Sequence, residues 1–96
     1  MPAIGMIEIQ GVTAAIDALD IMLKTADICF LTWERKLGGR LVTVVIQGTA
    51  AAVKEAVNAA CAKTIRKPCA WLVLPNPHKE TMKIIQMSIT GGKNNG

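Results

Sequence analysis

The sequence predicts an α+β fold of ferredoxin-like type: a four-stranded antiparallel sheet with helices packed on one face and a short helix at the C-terminal end. Three observations carry this. Two runs rich in β-branched and aromatic residues, Ile28 to Glu34 and Arg40 to Ile46, meet at Lys36-Leu37-Gly38-Gly39-Arg40, whose adjacent glycines supply the positive φ of a tight hairpin turn. Two stretches with apolar residues at helical spacing flank that hairpin. Two further apolar runs lie outside them, giving strand, helix, strand, strand, helix, strand, the order of two strand–helix–strand halves.

Ala3 to Gln10 is apolar on both faces and polar only at Glu8 and Gln10, as in a strand inside a sheet. After Gly11, residues 12 to 25 repeat apolar side chains at helical spacing. Ala15, Ile16, Leu19, Met22, Leu23 and Ala26 are expected on the buried side, with Thr13, Asp17, Asp20 and Lys24 opposite. Asp20 and Lys24 stand four apart in the favourable acid-before-base order. Thr49 is a suitable N-cap for a second helix over residues 50 to 61, with a stripe of Val53, Ala56, Val57 and Ala60 small enough to lie close to the sheet. A basic connection ending in Pro68 leads to a fourth strand, residues 69 to 74. Asn76 followed by Pro77 then has the form of a helix start, with Met82, Ile85 and Ile89 on one face. Residues 1–90 make one domain, and the tail 91–96 has no apolar residue with which to pack and is expected to be disordered.

Composition bounds the function. The chain has 96 residues, 51% of them hydrophobic and only 19% charged. So small a body has too much surface to hide that apolar content, which points to self-association. No apolar stretch reaches the ~20 residues of a membrane span, because Asp17, Asp20, Lys24 and Asp27 interrupt the most apolar region. The start Met1-Pro2-Ala3 lacks a basic segment followed by an apolar run, so a cytoplasmic location is expected. Cys29, Cys61 and Cys69 lie in apolar segments without metal-binding spacing and are expected to be buried reduced thiols. The net charge of +4 is partly located in Arg35, Lys36 and Arg40 and in Lys63, Arg66 and Lys67, without the dense basic face or aromatic platform of a nucleic-acid binder. His78, the only histidine, has no nucleophile or carboxylate at a catalytic or metal spacing, and Gly38-Gly39 open a strand and not a phosphate-binding helix. Neither an enzyme nor a cofactor is expected.

Several segments taken in order carry a resemblance. Residues 3 to 27, Leu41 to Gly48 with Ala52-Val53-Lys54-Glu55-Ala56, and Leu74-Pro75-Asn76-Pro77-His78 resemble the bacterial microcompartment shell proteins that form single-domain hexamers. The resemblance runs from about residue 3 to about residue 86. It implies a homohexameric tile that packs edge to edge with copies of itself and with other shell proteins, around encapsulated enzymes, in a cytoplasmic shell.

The resemblance also implies two sets of residues. The hairpin turn would line a central metabolite pore through Leu37, Gly38, Gly39 and Arg40. It departs from the family's usual Gly-Ser-Gly: Ser is absent, Arg follows the glycines, and the turn is one residue longer. A ring of backbone donors with Arg40 beside it would favour polar or anionic solutes, with Leu37 as an apolar constriction. The hexamer edge would comprise Lys24, Asn76 and His78, with Asn76 standing where the family often has Arg, and so without a charged, forked donor. Some relatives hold an iron–sulfur cluster at the pore through Cys, which this turn lacks. The alternative from another class is an oligomeric ferredoxin-like regulatory module binding a small molecule at subunit interfaces.

Overall fold

A computed structural model of the chain describes residues 2–35 and 40–78. The elements are β1 (Ala3–Gln10), α1 (Val12–Thr25), β2 (Ile28–Arg35), β3 (Leu41–Gly48), α2 (Ala50–Lys63) and β4 (Ala70–Leu74). The strands form one antiparallel sheet in the order β2-β3-β1-β4, so each strand–helix–strand half is split by a strand of the other. The predicted α+β architecture is therefore the observed one, and β1 lies inside the sheet as its two-faced apolar pattern requires.

Alternation along the strands divides the sheet into two faces. Ala3, Ile7 and Ile9 of β1 and Val42, Val44 and Ile46 of β3 join Ala14, Ala15, Ala18 and Met22 of α1 and Val53, Ala56, Val57 and Ala60 of α2 in one core. Ile4 and Val45, of opposite parity, form a second small cluster with Met6, Leu31 and Leu74. α1 lies over β2 and β3, α2 over β1 and β4, and the helices pack side by side.

The helix ends follow local chemistry. The Thr49 hydroxyl accepts the Ala52 N–H at 3.1 Å, a cap that contributes about 1 kcal/mol. Gly11, at φ 97°, begins α1 without a side-chain cap, and its own N–H donates to the Arg40 carbonyl at 2.7 Å. That positive φ explains why glycine stands at the junction.

Four sequence expectations change. The buried arc of α1 is Ala14, Ala15, Ala18 and Met22, while Ile16 and Leu23 are exposed. The arc is rotated toward α2, leaving the larger residues on the outer flank. Cys29 and Cys69 are exposed and Cys61 only half-buried, with its thiol pushed up by burial, so the cysteines are not core residues. Strand and helix limits shift by one or two residues, β3 running to Gly48 and α2 to Lys63. Pro77 and His78 lie in irregular backbone and do not begin a helix. The expected helix through Met82, Ile85 and Ile89, the tail 91–96, and the turn residues Lys36, Leu37, Gly38 and Gly39 lie outside the described residues.

Gly5 sets how closely α2 approaches the sheet. A Cβ there would stand 2.7 Å from Val53 Cγ1 and 3.1 Å from both Ile46 Cγ1 and Val57 Cγ2. Val and Ile are stiff at χ1 and have little room to yield. Gly5→Ala should therefore destabilise the protein by about 1–3 kcal/mol, seen as a lower urea midpoint with unchanged slope. A midpoint equal to wild type would show that the helix–sheet spacing is set elsewhere.

Candidate functional site

The described candidate residues fall at the two ends of the strands. β1 and β2 run one way, β3 and β4 the other. One end therefore gathers the end of β1, the base of the β2–β3 hairpin and the α2–β4 loop. The opposite end gathers the start of β1, the α1–β2 junction and the segment after β4. Eight-residue strands separate these ends by roughly 26 Å.

Arg40 stands at the hairpin end, exposed, with its carbonyl held by Gly11. Of the predicted pore residues it alone is described; Leu37, Gly38 and Gly39 are not. The α2–β4 loop is tied to the same end. Cys69 N–H donates to the Glu8 carbonyl at 2.7 Å, and Arg66 Nη1 donates to Gln10 Oε1 at 3.3 Å. Ile65 N–H donates to Asp17 Oδ2 at 3.0 Å, and the Thr64 hydroxyl lies within donating distance of two carbonyls, Ala60 at 2.8 Å and Arg66 at 2.7 Å, with one proton to give to either. Sequence reasoning noted the charge of Arg66 and Lys67 but not their placement at the same strand end as Arg40, since that needs the strand order.

Lys24, Asn76 and His78 share the opposite end, all exposed. Lys24 Nζ lies 2.8 Å from Asp20 Oδ2, the expected pair one turn apart on α1. The hydrogen bond to Asp20, with the attraction of its charge, pushes the Lys24 pKa up, so the ammonium stays charged. The structure brings the three predicted edge residues to one end of the sheet and separates them from the hairpin.

The sheet edges carry large exposed apolar residues, in keeping with the self-association expected from composition. On β2, Phe30 pairs with Ile46 and Thr32 with Val45, so the register slips at Leu31. This bulge changes the alternation and places both Phe30 and Trp33 opposite residues of the helix-covered face. Phe30 is 42% and Trp33 40% exposed, and Ile16 and Leu23 of α1 are exposed on the same flank. On the other edge strand, Trp71 is 53% and Leu72 48% exposed, with Ile65 exposed in the loop before them. A helical period marks an apolar arc, but not whether its own chain covers it. Among the described residues, no group of three or more His, Cys, Asp or Glu could hold a metal ion, and no helix is long and apolar enough to cross a membrane.

Comparison with known proteins agrees with this geometry. The model of the BMC domain family matches residues 3–77. The bacterial microcompartment shell protein PduA of Citrobacter freundii is 41% identical over 90 residues, covering 92% of this chain and 96% of its own. The bacterial microcompartment shell protein EutM of Salmonella typhimurium is 36% identical over 96 residues, covering 98% of this chain and 99% of its own. Among solved structures, a microcompartment protein from Desulfitobacterium hafniense superposes with a TM-score of 0.78 at 29% identity over 91% of this chain, which spans 48% of that longer chain. The chain belongs to the BMC domain family of bacterial microcompartment shell proteins.

Proposed function

We propose that this shell protein closes head to tail into a hexameric tile, with the β2–β3 turn around a central pore and Lys24, Asn76 and His78 at the outer rim. Its role is structural and not catalytic. The observation that carries the reading is the pair of unlike apolar edges: Ile16, Leu23, Phe30 and Trp33 on the β2 side, Ile65, Trp71 and Leu72 on the β4 side. Two different patches on opposite edges suit a heterologous contact, which repeats around a rotation axis and closes into a ring. Fully buried, each large side chain contributes roughly 1.5–3 kcal/mol. The body measures 33 × 31 × 18 Å, flat enough for a tile.

The separation of the two strand ends supports the same arrangement. With the hairpin end at the axis, Arg40 faces the pore and Lys24 lies at the periphery, where tiles meet. One domain, 1–90, carries all of this. Tiles of this kind assemble with their own copies and with other shell proteins, around encapsulated enzymes, in the shell of a cytoplasmic compartment. On this reading Leu37, Gly38, Gly39 and Arg40 line the pore, with the glycine N–H groups and Arg40 favouring polar or anionic metabolites and Leu37 making an apolar constriction.

Light scattering on edge variants tests the ring. Phe30→Glu and Trp71→Glu should each yield protomers. Mixed together, they should form dimers only, since one intact pair of edges remains and the chain of contacts cannot close. If either single variant kept the wild-type mass, the edges would not be the contact. At the rim, Lys24→Ala should leave the hexamer mass unchanged while electron microscopy shows loss of extended sheets; sheets as abundant as wild type would remove Lys24 from the tile contact.

A further inference from the structure

The charge of the described chain is unevenly distributed between the two strand ends. The hairpin end gathers Arg35 at the end of β2, Arg40 before β3, Lys63 at the end of α2, and Arg66 and Lys67 in the α2–β4 loop. Against them stand Glu34, Glu8 and Asp17, and Asp17 already accepts the Ile65 N–H. The other end holds Lys24, paired with Asp20, and Lys54, beside Asp27 and Glu55. The excess of positive charge thus sits where the hairpin base lies.

Two features make this a built arrangement. Gln10 and Gly11 are flanked by the two arginines: Gly11 N–H holds the Arg40 carbonyl at 2.7 Å, and Arg66 Nη1 reaches Gln10 Oε1 at 3.3 Å. The end of β1 therefore fixes the spacing between the hairpin base and the α2–β4 loop. Gln10 is neutral and occupies one of the five guanidinium donors, so the Arg66 charge is oriented without being cancelled.

We infer that Arg66 and Lys67 form a second cationic tier beside Arg40 at the mouth of the pore, which concentrates small polycarboxylates and phosphate esters there. The inference rests on the ring reading above, because six copies around one axis are what turn a modest local excess into a focused positive field. It places selectivity for charge in a loop outside the turn. Solutes with two or more negative charges gain most from such a tier, and added salt weakens the gain.

The test is calorimetric titration of assembled full-length protein with citrate and, separately, with uncharged glycerol, in low-salt buffer, with the mass of each sample measured by light scattering. Wild-type rings should bind citrate and not glycerol. R66Q/K67Q should weaken citrate binding at least tenfold, and K67Q, which leaves the Gln10 contact intact, about threefold. R66K/K67R, which keeps the charges, should stay within a few-fold of wild type, and K54Q, at the other end, within twofold. Rings of R66Q/K67Q or K67Q that bind citrate as wild type does would overturn the tier. So would a K54Q effect as large as that of R66Q/K67Q, which would reduce the matter to net charge. A wild-type chain that stays a protomer at all concentrations would instead overturn the ring reading, and the light-scattering mass separates that failure from the first.

Discussion

The close approach of α2 to β1 at Gly5 is the contact on which the rest of the structure depends. Val53 and Val57 occupy the space that a side chain at position 5 would take. With Ala56 and Ala60 they give the helix a face of small residues, all fully buried. A helix seated this low lets one thin layer cover the two central strands. Room remains beside it for α1, whose own contact face is Ala14, Ala15 and Ala18. A two-helix layer built largely on alanine is economical in thickness, and it leaves the aromatic residues and several large aliphatic ones outside.

Those residues go to the edges. The core of β1 and β3 is completed by Ile and Val, whereas Phe30, Trp33, Trp71 and Leu72 lie on the two outer strands. A sheet of four strands has two unpaired edges, and a monomer would blunt them with charge or proline. Here β4 has no charged residue between Ala70 and Leu74. The bulge at Leu31 brings Phe30 and Trp33 to the helix side of β2, where the outer flank of α1 adds Ile16 and Leu23. The two edges thus expose unlike apolar surfaces, as the proposed head-to-tail ring requires.

Much of the fold can be read from the sequence because its strands and helices carry clean periods. The α2 stripe, the Thr49 cap and the interior position of β1 all follow from local pattern. What local pattern misses is tied to neighbours in space. Ile16 and Leu23 fit a helical arc as well as Ala14 and Ala18 do, and only the position of α2 decides which side is covered. Cys29 and Cys69 sit in apolar runs, yet both lie on or beside edge strands, where an apolar context does not mean burial. The same holds for the candidate sites. Lys24 with Asp20 is legible one turn apart on a helix, but the joining of Arg40 and Arg66 through Gln10 and Gly11 depends on strand order. Residues 40 and 66 show no relation in the sequence.

The strand order also explains how one small domain keeps two surfaces apart. In a split strand–helix–strand sheet the β2–β3 hairpin and the α2–β4 loop emerge at the same end, while the α1–β2 junction and the exit of β4 emerge at the other. Charge placed in the first pair of segments can change without altering contacts at the second. Residues of the hairpin end, such as Arg40 and Arg66, and residues of the other end, such as Lys24 and Asn76, can therefore vary independently, because a sheet of roughly 26 Å lies between them. The constraint on variation falls on the middle of the strands, where Gly5 must stay small for the helices to sit at the right height.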